Sequence, residues 1–198
     1  MADARQPAWA GRIKKQLEKA KAKDSDLEIS GAHSHKYELR KPVSREKVEA
    51  FERKYGFCLP EEYRDFLLFA GDGGAGPYFG VYSLEEVDRE LGSERSYCPQ
   101  KEPVIYPEMS EEAWEELIGS DEEGKKERAA ASDTERKAGA AANPGGEDEE
   151  EGCRPYAGIL PIGSQGCTLM TGLVISGAYQ GRVVYFDLDR CGAPFFVR

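Results

Sequence analysis

Along the first 118 residues, apolar positions recur three and four apart, in short blocks separated by glycine and proline. Trp9, Ile13, Leu17 and Ala20 mark a helix over Ala8–Lys23, one thin apolar stripe on a Lys-rich background. Val48, Phe51 and Tyr55 mark a second helix over Arg45–Tyr55, with Ser44 as a good N-cap and Gly56 as its stop. In "LPEEYRDFLLFAG" the apolar residues Tyr63, Phe66, Leu67 and Ala70 form a third face. There Pro60 suits the first helical position, and Glu61 and Glu62 complement the helix dipole. "PYFGVYSLEEVDREL" reads as a strand over Tyr78–Tyr82 followed by a helix, with Ser83 and Glu86 at capping-box spacing. "SEEAWEELI" predicts one more short helix, with Ala113, Trp114, Leu117 and Ile118 facing inwards.

The pattern then stops. From Gly119 to Gly152 there is no aromatic and no β-branched aliphatic residue, and such a stretch cannot bury enough apolar surface to offset the entropy of ordering. An acidic, disordered insertion is expected. Beyond it the chain turns β-like. "YAGILPIG" predicts a strand ended by Pro161, and "CTLMTGLVISG" and "GRVVYFDLD" predict two more, joined by the loop "SGAYQG". Gly172 in mid-strand points to a bulge or a close backbone approach. The organisation read from this is a basic N-terminal helix over 1–28, a domain over 29–118 and 153–198, and the insertion over 119–152.

Charge sharpens the picture. The chain of 198 residues carries a net charge of −10, with the acidity concentrated in residues 108–152 and a basic excess in residues 1–23. A mainly acidic chain is a poor match for nucleic acid, whose phosphates call for clustered Lys and Arg. The first helix reads either as a membrane-surface or nucleic-acid arm, or as a helix docked by its stripe; the narrowness of the stripe favours docking. No apolar run approaches a membrane span, and the N-terminus lacks the apolar core of a signal peptide, so a cytoplasmic location is expected. The five cysteines, at irregular spacing and without a CxxC, argue against a disulfide framework or a zinc site and for small buried apolar side chains.

The candidate chemistry is sparse. "FAGDGGAGP" is glycine-rich as phosphate loops are, but it follows a helix and precedes a strand, the reverse of a dinucleotide-binding turn, and lacks the Lys-Ser/Thr of a P-loop. A helix C-terminus, partly negative, repels phosphate. The loop therefore reads as a helix stop in which Gly71, Gly73 and Gly74 permit φ > 0 and Asp72 suits a turn. His33 and His35 would share one face of a strand, but a single pair is too few ligands for a metal site. Asp187 and Asp189 alternate at a strand end, where paired carboxylates either do acid/base work or turn the strand into solvent. Without a base or metal partner, solvent is the expectation. No cofactor and no metal are expected.

The stretch "VEAFERKYG", then "LPEEYRDFLL", then a loop with "GG", together with "PIG", a Gly-Cys pair and "GRVVYF", resembles the SUKH superfamily, which groups fungal cell-wall-synthesis regulators of the Smi/Knr type with bacterial immunity proteins. Asp72 stands where that family usually has Asn. The insertion departs from the family pattern, and the chain stops at Arg198 without the family's aromatic-bearing C-terminal helix, which suggests a truncated or divergent member whose basic first helix serves instead. The resemblance implies an α+β fold, with a curved, mainly antiparallel sheet and helices packed beside it in one domain, the segments 29–118 and 153–198. It also implies binding rather than catalysis: an immunity protein neutralising a cognate toxin, often a nuclease, or a regulatory scaffold. The partner-binding candidates are Asp72, Tyr78, Tyr82, Tyr185 and Asp187. For the tyrosines, core packing is the alternative, since Tyr is intermediate in burial.

Overall fold

The computed structural model describes residues 7–93, 97–119 and 155–197. Apart from Gly119, the expected acidic insertion lies outside these residues. The elements are helices α1 (Ala8–Lys23), α2 (Ala32–His35), α3 (Arg45–Tyr55), α4 (Glu61–Asp65), α5 (Leu84–Leu91) and α6 (111–119), and strands β1 (Ile159–Gly166), β2 (Leu169–Val174), β3 (Val183–Asp187) and β4 (Phe195–Phe196). The strands pair antiparallel in the order β1-β2-β3-β4. The α+β architecture expected from the sequence is the one observed.

Local chemistry sets most helix ends. The Ser44 hydroxyl accepts the Lys47 N–H, and Gly56 closes α3 in the left-handed region at φ 72°. Glu52, buried on α3, accepts the Leu59 N–H at 2.9 Å and so ties the end of α3 to the start of α4. Pro60 is the N-cap of α4, one residue before the position read from sequence. α4 runs on as a π-helical turn, Phe66–Ala70, against which α1 packs. The α1 stripe Trp9, Ile13, Leu17 and Ala20 is half-buried, in keeping with a docked helix.

The sheet separates two apolar clusters because its side chains alternate between faces. On one face Leu160, Ile162, Leu173 and Ile175 pack with Val48, Phe51, Leu59, Tyr63, Leu67, Leu84 and Val87 of the helical layer. On the other, Ile159, Met170, Val174, Val184, Phe186 and Phe196 pack with Tyr97, Ile105, Trp114 and Tyr156. Trp114 of α6 is the largest fully buried side chain.

Several expectations need correction. Tyr78–Tyr82 is not a strand: Val81 makes one isolated bridge to Gly74, which in turn bridges Leu39. Pro161 does not end β1. It pairs with Gly172 inside the strand, next to a bulge, and the missing N–H is tolerated because β1 lies at the edge of the sheet. Gly172 stands opposite that bulge, and what presses on it is side chain rather than backbone: a Cβ there would stand 2.5 Å from Ile159 Cγ2 and 2.8 Å from Phe186 Cε1. The four described cysteines are not buried apolar fillers. Cys58, Cys167 and Cys191 are free and exposed, and Cys98 is disulfide-bonded.

Candidate functional site

The "GDGG" loop is a structural wedge. Its backbone threads between residues 38–40 and 81–82: Arg40 N–H donates to Gly73 O, Ala75 N–H to Glu38 O, and Gly74 and Val81 exchange two bonds at 2.8 Å. Tyr82 N–H then reaches Ile162 O of β1 at 2.8 Å, linking the wedge to the sheet. Gly73 and Gly74 do lie at positive φ, 70° and 103°. Gly71 does not. At φ 173° it is extended, and glycine is required because a Cβ would stand 2.5 Å from the Arg40 carbonyl oxygen.

Asp72 belongs to this wedge. Its Oδ1 accepts the Leu84 N–H at 2.7 Å, at the start of α5, where Ser83 and Glu86 complete a capping box. Arg40 grips the same Glu86 through two guanidinium bonds of 2.8 and 3.1 Å. Asp72 also lines a groove of about 370 Å³ with Phe51 and Lys54 of α3 and Asp88 of α5.

The helical layer covers only part of its sheet face. Leu173 and Val183 lie under it, and on the same face Thr171, Leu169, Tyr185, Asp187 and Phe195 continue beyond it. Leu169 is 46% exposed and Phe195 63%, and the loop at the rim adds Tyr78 at 45% and Phe79 at 40%. The Tyr78 ring meets Tyr185 edge-on at 6.1 Å between centroids, and Tyr185 meets Phe195 at 6.3 Å. These rings form a row in which Tyr78 and Phe195 are exposed and Tyr185, between them, is half-buried. Phe79, together with Tyr82, Arg40 and Glu86, also lines an adjoining cleft of about 540 Å³.

The predicted residues therefore divide. Tyr78 and Tyr185 are brought together on the open face. Tyr82 is half-buried between the two apolar clusters. Asp187 is on the strand that carries Tyr185, but its carboxylate is engaged: the Thr168 hydroxyl, then the Asp189 N–H at 3.0 Å, then Cys191 hold it below its ordinary range against the opposing effect of burial. It caps the turn after β3 and does not converge with Asp189. Phe195, Leu169 and Phe79 were missed. The "PFF" alternation in a strand, one ring inward and one outward, was the available signal for Phe195.

The two histidines do not form the one-face pair that a strand would give. His33 and His35 are on the one-turn helix α2, not a strand, so their side chains diverge; His33 is exposed beside Phe79, whereas His35 is half-buried. Among the described residues, no group of three or more His, Cys, Asp or Glu side chains could hold a metal ion, and no helix is long and apolar enough to cross a membrane.

No curated protein and no solved structure matches the chain. The profile of the SMI1 / KNR4 family (SUKH-1) matches residues 42–197, a span that runs from the strap before α3 to the end of β4 and includes the whole open face, and the chain belongs to that family.

Proposed function

We propose that this protein is a non-enzymatic binding protein of the cytoplasm that neutralises a cognate protein toxin, and that the open half of the sheet face, centred on Tyr78, Tyr185 and Phe195, grips the partner. The observation that carries the reading is a row of three rings, its outer members Tyr78 and Phe195 exposed and Tyr185 half-buried between them, on a sheet face whose other half is packed under helices. Tyr and Phe supply large contact area at low entropic cost, and such anchors dominate binding energy when water is excluded around them. The net charge of −10 favours a basic partner, such as a nuclease domain, by speeding encounter. Asp72 and Tyr82 act in this reading through the fold rather than by contact.

The experiment is co-expression with the product of the adjacent gene. Rescue of growth together with a stable complex supports the toxin reading. A stable complex with a non-toxic partner moves the protein to the regulatory side of its family. A complex unaffected by Phe195→Ala and Tyr185→Ala sinks the assignment of the face.

A further inference from the structure

The helix α1 contributes no residue to the open sheet face, and it lies outside the matched span 42–197. Ala8–Lys23 carries six cations and a single carboxylate, Glu18, in a chain whose net charge is −10. The fold sorts these cations. The stripe Trp9, Ile13, Leu17 and Ala20 is half-buried and Ala10 is buried, where α1 packs on the π-helical turn. Lys14 and Lys21 share a groove with Glu18 and Glu38, and Lys21 is ion-paired to Glu38 at 2.6 Å.

The other four cations form a row. At about 3.6 residues per turn, Arg12, Lys15, Lys19 and Lys23 return to one side of the helix, turned away from the stripe. All four are exposed. Among the described residues none of their side chains has an ion pair or a hydrogen bond. Successive members are three or four residues apart, about 4.5–6 Å along the axis, so the row is about 16 Å long. Beside it stand Ala8, Gln16 and Ala22, exposed and uncharged. The helix dipole favours Lys21 and Lys23 in the last turn, but it reaches no further and does not account for Arg12, Lys15 and Lys19.

This surface offers charge and little else. It has none of the exposed aromatic anchors that carry protein interfaces. The apolar stripe that would enter a membrane is taken up by the fold. What the row matches is a line of regularly spaced anions that approach closely over small side chains, as the phosphates of a nucleic-acid strand do. The acidity of the whole chain argues against nucleic acid elsewhere on the molecule, and it confines the contact to this helix because the remaining surface repels phosphate.

We propose that the outer row of α1 is a second binding surface, for the phosphate backbone of a nucleic acid, held by charge and without base specificity. It is independent of the function proposed for the sheet face, and neither depends on the other.

The probes are fluorescein-labelled single-stranded and duplex DNA of about 20 nucleotides, titrated with the full chain by anisotropy at several salt concentrations. With four phosphate contacts, log Kd should rise with log salt at a slope of about 2.8 for the single strand and about 3.6 for the duplex. Raising salt from about 50 to about 200 mM should then weaken single-strand binding about fiftyfold. Lys15→Gln/Lys19→Gln keeps the helix, because Gln and Lys have similar helix propensity. It should weaken single-strand binding more than about tenfold and lower the slope by about 1.4, with an unchanged thermal midpoint. Lys14→Gln/Lys47→Gln removes the same charge from exposed positions off the row, and should change affinity less than about threefold because distant charges are screened. Equal losses in the two pairs would assign binding to bulk charge and overturn the row. Absence of binding to either DNA at about 50 mM salt would overturn it too. Vesicles of phosphatidylcholine and phosphatidylserine bound more tightly than either DNA would move the surface to membranes. Polyglutamate bound as tightly as DNA would move it to acidic proteins. Either result overturns the proposal.

Discussion

The Asp72 carboxylate accepts the backbone N–H of Leu84 at 2.7 Å, joining the turn after one helix to the first residue of another. Leu84 N–H is one of the donors that a helix start leaves unsatisfied, and α5 has its other cap contacts from Ser83 and Glu86. Asp72→Ala should therefore destabilise the fold by about 1–2 kcal/mol, the usual loss for a helix cap. Asp72→Asn, which keeps the side-chain oxygen as acceptor, should cost less than half of that. Urea unfolding of the two variants measures the difference; equal losses would show that the negative charge, rather than the acceptor, matters.

Two glycines should respond in opposite directions. Gly74 lies at φ 103°, and a Cβ there would fall inside contact distance of the Glu38 carbonyl and 3.0 Å from Leu39 Cα. Backbone cannot retreat as a side chain can, so Gly74→Ala should cost about 3 kcal/mol or more. Gly11 is in the interior of α1, and a Cβ added there would meet nothing within 4 Å. Gly11→Ala should add about 0.5–1 kcal/mol by helix propensity alone. Thermal unfolding of both variants beside the parent checks the signs.

Where caps and period coincide, the chain was legible to the residue. α1, α3 and α5 run as read, with Ser44, Gly56, Ser83 and Glu86 in the roles their spacing suggested. The failures lie where tertiary contact decides. "AHSHKY" is too short to show a period, and only its wedging against Gly80 makes it a helical turn followed by two left-handed residues. "PYFGVY" has strand composition, but the approach of Gly80 to Gly74 folds it into a loop with one bridge. Strand alternation sorts Tyr185 from Phe186 and Phe195 from Phe196, yet cannot say which half of a face the helices leave open. That boundary is set by how the helices pack over the sheet, a relation between distant parts of the chain. Tyr82 takes the core-packing alternative for the same reason, since its ring fills a seam between two clusters that sequence spacing does not reveal.

The open face predicts a separation of binding from stability. Phe195 is 63% exposed on a two-residue strand. Phe195→Ala should change stability by less than about 1 kcal/mol, as surface substitutions generally do. Against the partner it should cost tenfold or more in affinity, since a truncated aromatic anchor commonly loses at least about 1.4–2 kcal/mol. Paired calorimetric titration and urea unfolding of the variant read both quantities. A large stability loss would identify Phe195 as packing rather than contact.

Acid should unfold the protein partly through Glu86. Burial on its own would raise this carboxyl, but the Ser83 backbone and hydroxyl, followed by Arg40, outweigh it and hold the pKa below the ordinary value of 4.5. A carboxyl depressed in the fold contributes stability that is present above the unfolded pKa and lost as pH falls through the folded one. Glu86→Gln should then be less stable than the parent by about 1 kcal/mol near pH 7, since solvent at this partly exposed site reduces the about 1.5–3 kcal/mol of a bond to a charged group. The gap should close as the pH drops below about 4. Urea midpoints at several pH values test this, and a gap independent of pH would assign the loss to packing.

The cysteines separate by thiol chemistry. Cys58, Cys167 and Cys191 are exposed and free, so all three should be alkylated in the native protein, while Cys98, in its disulfide, should be labelled only after reduction. Among the three, Cys191 should react most slowly near neutral pH. Asp187 raises its pKa by its negative charge, with burial and Asp189 adding in the same direction, and the thiolate is the reactive form. Asp187→Asn removes the leading cause and should speed alkylation of Cys191 severalfold while leaving Cys58 unchanged. Peptide mapping after timed exposure to iodoacetamide gives the rates site by site. Labelling of Cys98 without reductant would remove the disulfide from the native state. An unaltered Cys191 rate in Asp187→Asn would mean that the carboxylate does not govern the thiol, and that its role is confined to the turn it closes with Thr168 and Asp189.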